Sequence, residues 1–128
     1  MGMSKHLPMV LERLGTNLRV VDAKYERKHM HYGTRYGKSH SYTIKTDDPE
    51  QTAKNFFKLL TSGGGIYTRR TQNGTALIAN MGDGSIITLR MKTSVAGSPA
   101  VDINVRKSYD YRENNLISHK IHFMKEGD

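Results

Sequence analysis

Three short runs in the last third of the chain, Ile86 to Lys92 (IITLRMK), Val101 to Val105 (VDINV) and Lys120 to Phe123 (KIHF), interleave core residues with polar or basic ones. Alternation of this kind marks a half-buried β-strand. With Ile87, Leu89 and Met91 turned inward, Thr88, Arg90 and Lys92 face outward. The same parity puts Ile121 and Phe123 inside, Lys120 and His122 outside, and His119 with the core. The open face then collects Arg, Lys and His, the side chains that hold a phosphate and move a proton near neutral pH. Cleaving RNA without a metal needs a base for the 2′-hydroxyl, an acid for the leaving oxygen and cations for the phosphorane. His122 suits acid or base work, Arg90 and Lys92 suit the phosphate, and Ser94 or Thr93 suits a non-bridging oxygen. Lys120 would position substrate or lower a neighbour's pKa. The competing reading is a solvated sheet face whose charges only maintain solubility.

A second group lies upstream. His40, in Ser39-His40-Ser41 at a strand entrance, is the candidate second acid or base, whereas His29 and His31 read as exposed members of a basic loop. The i, i+2 spacing of those two lacks a carboxylate set, so no metal site and no cofactor is expected. Lys24, Arg27, Lys28, Arg35, Tyr36 and Lys38 interleave cations with aromatics, the composition that neutralises a nucleic-acid backbone and stacks bases. An exposed layer docking an acidic protein fits the same residues.

The elements that must position these side chains follow from spacing. Leu7, Val10, Leu11, Leu14 and Leu18 recur at helical intervals, with Ser4 as a cap and Pro8 in the first turn. Tyr42 and Ile44 alternate as a short strand. Asp48, Pro49 and Gln51 form a helix start with a capping-box partner, and Ala53, Phe56, Phe57 and Leu60 make its stripe before Gly63 to Gly65 end it. Hairpins then turn at Asn73-Gly74 and Asp83-Gly84. The expectation is α+β: N-terminal helices packed on a twisted antiparallel sheet, with residues 1–46 a basic helical and loop segment and 47–128 a helix plus antiparallel meander.

At 128 residues one domain is the default. The net charge of +8 makes an anionic partner the first hypothesis, and it is uneven: residues 1–46 hold nine Lys/Arg against three Asp/Glu. Cysteine is absent, which removes disulfides and thiolate zinc ligation. No apolar run approaches a membrane span and no targeting segment is evident at the N-terminus, so stable membrane association is not expected.

Thr52 to Leu60 (TAKNFFKLL), Gly63-Gly64, Asp83 to Arg90 (DGSIITLR), Ser94, Gly97 to Asn104 (GSPAVDIN) and Lys120 to Phe123 together resemble C-terminal toxin domains of bacterial polymorphic toxins, of the contact-dependent and LXG types. The resemblance implies a nuclease fold of the barnase, EndoU, colicin and RelE type and an antibacterial role. It also implies a secreted effector delivered into the cytoplasm of a target bacterium and an acidic immunity protein that neutralises it. It supports Arg90, Ser94, Lys120 and His122 as site residues without fixing their roles. The expected activity is metal-independent RNA cleavage, of tRNA or rRNA, to a 2′,3′-cyclic phosphate by a monomeric domain. A metal-dependent DNase toxin and a non-enzymatic basic nucleic-acid-binding or adaptor module are the alternatives.

Overall fold

The computed structural model describes residues 13–37, 40–95, 97–108, 112 and 114–127. The amphipathic pattern of the first residues emerges as α1 (Arg13–Asp22), which buries Leu14, Leu18 and Val21 and runs one turn beyond the expected end. The expected Ser4 cap, Pro8 and the first apolar positions lie outside the described residues. The segment read as a basic loop instead forms strands β1 (Arg27–Lys28), β2 (His31–Tyr32) and β3 (Thr34–Arg35). Gly33 makes the last step possible. Its φ is +82°, and a Cβ there would stand 2.6 Å from the Thr43 carbonyl oxygen.

Strand β4 (Ser41–Thr46) leads into α2 (Pro49–Leu60). The Asp48 side chain accepts from the Gln51 N–H and Pro49 opens the helix, as expected. The capping box is not closed: the Asp48 N–H donates to Thr46 Oγ1 at 3.4 Å, and the Gln51 amide nitrogen donates to Asn55 Oδ1 at 3.0 Å. At the other end Asn17 Nδ2 donates to the Leu60 and Ser62 carbonyls at 2.8 and 2.9 Å, filling acceptors that a helix terminus leaves open. Phe56 is fully buried in ring contact with Tyr25, Tyr32 and Phe123. Truncating it to Ala would cost about 3–5 kcal/mol.

Beyond the helix run β5 (Gly65–Thr71), β6 (Gly74–Asn80), β7 (Ile86–Arg90), β8 (Ala100–Asn104) and β9 (His119–Lys125). The seven-stranded sheet has the order β3-β4-β9-β8-β7-β6-β5, with β1 and β2 a separate pair. The fold is α+β with the helices on one sheet face, but the sheet is mixed rather than antiparallel. Ser41 to Thr46 pair in parallel with Lys120 to Lys125. Strands β5 to β9 form the expected antiparallel meander, and the correction is to the wholly antiparallel sheet, because β4 joins its far edge in parallel. The first long strand of the sheet is followed by a helix across its face, and the last strand returns to it from the far side.

The Asp83-Gly84 connection also differs from a tight turn. β6 ends at Asn80, β7 begins at Ile86, and Asp83 is fully buried. Its carboxyl accepts from the Ser85 N–H at 2.8 Å, the Ser85 hydroxyl and the Ser108 hydroxyl at 2.8 Å, pinning the segment after β8 to this loop. Gly84, at φ +98°, would place a Cβ inside the Lys107 backbone. Among the described residues no helix is long and apolar enough to cross a membrane.

Candidate functional site

Strand register decides which side chains share the open face. Ala76, Arg90, Ala100, His122, Thr43 and Thr34 lie on one line across six strands. Ile78, Thr88, Asp102, Lys120 and Ser41 form the next line. Arg90 and His122 are therefore two strand spacings apart, about 10 Å between backbones. Only Ala100 stands between them, so the floor is low. The core faces the other way, with Ile87, Leu89, Val101, Ile103, Ile121 and Phe123 under α2.

His122 sits on the open face yet is almost covered, 4% exposed, because the segment after β7 folds over it. Its Nδ1 lies 3.1 Å from Ser98 Oγ and 3.4 Å from Thr93 Oγ1. Thr93 spends its single proton on the Ser98 carbonyl at 2.7 Å. Toward His122 it can then only accept, and when Ser98 Oγ accepts there as well the proton lies on Nδ1 and the lone pair on Nε2. Burial first, and the Lys120 ammonium second, hold this imidazole below the ordinary histidine value. A neutral ring with one nitrogen anchored and a lone pair on the other is the form a general base needs.

Around this centre the structure gathers several of the expected residues. Lys120 is two positions along the same face of β9, and the Tyr36 ring stands 6.5 Å from that of His122. Thr93 touches the ring directly. Ser94 is exposed in the turn beside it. Lys92 lies beyond the end of β7 and is exposed, so strand parity does not fix its direction as it fixes that of Arg90.

Others are placed elsewhere. His40, at φ +50° just before β4, borders a cavity with Val105, Arg106, Ile117 and Ser118 and acts electrostatically on His119. It is not beside His122, so the two expected acid-base histidines do not form a pair. Arg27 is occupied structurally: its guanidinium donates to the Asn114 and Asn115 carbonyls at 2.6 and 3.1 Å and pairs with Asp22 at 2.9 Å. Arg35 pairs in register with Tyr42, on the core parity, at the exposed sheet edge. Lys24 and Lys28 border a groove next to Thr34 and Thr43. Lys38 lies outside the described residues. His31 is not an exposed loop residue. Its ring stacks on Tyr42 at 3.9 Å, and its Nδ1 is buried with no hydrogen-bond partner among the described residues.

Two residues of the site were not singled out by spacing. Ser98 was visible only as part of the Gly97-Ser98-Pro99 loop, and nothing in a loop sequence says which strand it will touch. Asp102, opposite Lys120 and beside Thr88, follows from the alternation of β8 once that strand is placed between β7 and β9. Among the described residues no group of three His, Cys, Asp or Glu is placed to hold a metal ion.

No family model, curated protein or solved structure matches this chain.

Proposed function

We propose that this domain is an RNA endonuclease that cleaves by transphosphorylation without a metal, with a fold of the barnase, EndoU, colicin and RelE type. The observation that carries the reading is the His122 imidazole, anchored through Nδ1 by Ser98 and Thr93 and lying on one line of the open face with Arg90. His122 Nε2 takes the 2′-hydroxyl proton as the 2′-oxygen attacks phosphorus. The bond to the 5′-oxygen then breaks, that oxygen takes a proton from the Lys120 ammonium, and a 2′,3′-cyclic phosphate remains. Arg90 stabilises the phosphorane, Tyr36 offers a ring for a base to stack on, and Ser94 contacts a phosphate oxygen. The resemblance to polymorphic-toxin domains and the basic segment of residues 1–46 support a wider reading: a secreted antibacterial effector, active in the target's cytoplasm and neutralised by an acidic immunity protein.

The test is incubation of the purified domain with total RNA and with plasmid, with and without EDTA, followed by mapping of the product ends. EDTA-insensitive RNA cleavage with cyclic phosphate ends is expected. Plasmid cleavage lost in EDTA would establish the metal-dependent DNase instead, and salt-dependent binding without turnover would establish a non-enzymatic module.

A further inference from the structure

Strand β3 is two residues long and pairs with β4 only at Tyr42 and Thr43. From Ile44 to Thr46 the outer edge of β4 therefore has no paired strand among the described residues, and a groove of about 520 Å³ opens there against the segment after α1. Lys24, Lys28 and Lys45 border this groove, against the single carboxyl of Glu26. Thr34 and Thr43 border it too, and both lie on the register line that carries His122 and Arg90. Thr43 is the register partner of His122 itself. The groove thus begins one strand spacing, about 5 Å, from the backbone of the proposed catalytic histidine. Arg27, lying between Lys24 and Lys28 in sequence, is tied to Asp22 and two carbonyls and does not border the groove.

We propose that this groove is a second subsite, which takes the ribose-phosphate backbone of single-stranded RNA running away from the phosphodiester held at His122. The proposal rests on the ribonuclease reading and adds to it where the rest of the strand lies. The register line that Thr34 and Thr43 share with His122 favours the same polymer that the site would cleave. A row of ammonium groups beside hydroxyl-bearing threonines suits a backbone rather than a particular base.

The experiment measures binding of an uncleavable 2′-O-methyl dodecamer across a salt series, for wild type and for Lys24→Ala/Lys28→Ala/Lys45→Ala, with melting curves to confirm that the variant is folded. Each lost phosphate contact lowers the slope of log affinity against log salt by about 0.7, so the triple variant is expected to lose about 2 from the slope. Its affinity should fall at least about tenfold at moderate salt. In cleavage assays KM should rise more for a dodecamer than for a dinucleotide. A folded variant with the wild-type slope and affinity overturns the proposal, as does a wild type that prefers poly-glutamate to RNA through these lysines. If wild type binds the dodecamer through the lysines but cleaves no RNA, the ribonuclease reading falls while the groove's ligand stands.

Discussion

Two histidines three residues apart on β9 have opposite environments. His119 is on the core side: Nδ1 donates to the Ile117 carbonyl at 2.7 Å, Nε2 accepts from the Tyr32 N–H at 3.1 Å, and the ring packs against Tyr32, Tyr42 and His31. Both nitrogens are committed, so the ring stays neutral near neutral pH and is held for the fold. His122 is on the open side with only Nδ1 engaged by described residues. A histidine serves a fold when both nitrogens are filled and serves chemistry when one is held and the other is left to react. On a strand, an odd difference in position is enough to separate the two cases.

The sharpest way to break this contrast is to remove each ring in turn. His122→Ala should lower RNA cleavage about 10²–10⁴-fold with the fold retained, read by initial rates and circular dichroism. His119→Ala should instead cost about 3 kcal/mol in urea titration, because it leaves a cavity and an unpaired Tyr32 N–H, while the folded fraction keeps its activity. If the two effects were exchanged, the assignment of roles would fail.

The same contrast predicts an acid response. Burial, the largest cause, lowers His119 to about 4 from 6.5. Its folded value lies below its unfolded one, so the unfolded chain binds more protons between these pH values. The stability contribution is complete above pH 6.5 and is lost as pH falls toward 4, by up to about 3 kcal/mol. Urea titrations at several pH values check this, and His119→Gln should flatten the slope in that window.

Smaller effects sharpen the His122 side. Ser98→Ala should lower kcat about ten- to a hundredfold by freeing the ring from its anchor, with little change in KM. Thr93→Val should do less, since its contact with Nδ1 is the longer one. His122 must be neutral to accept a proton, so kcat/KM should fall with acid through a midpoint below 6.5. Lys120→Gln should move that midpoint up, because the ammonium is the second cause of the lowering. A midpoint unmoved or lowered in that variant would disconnect Lys120 from the histidine.

Much of the site was legible because strand periodicity reports on faces. Parity alone placed Arg90, Lys120 and His122 together and turned His119 away, since each needs only the strand and its apolar side. The α2 start was legible for the same local reason, through Asp48 and Pro49. What escaped depends on contacts distant in sequence. His40 looked like a partner for His122 from its place before β4, but the parallel β4–β9 pairing puts it next to Ser118 and Ile117. Arg27 had the composition of a phosphate ligand until Asn114 and Asn115 occupied it.

By itself, then, the amino-acid order determined the basic open face, the lack of thiols and the elements able to build an α+β domain, because charge, composition and periodicity are local properties. Only the tertiary structure decided that the sheet is mixed, that Ser98 anchors His122, and that Lys24, Lys28 and Lys45 border one groove. Those outcomes depend on which strand lies beside which, and register between distant segments is set by packing of the whole core rather than by any one segment.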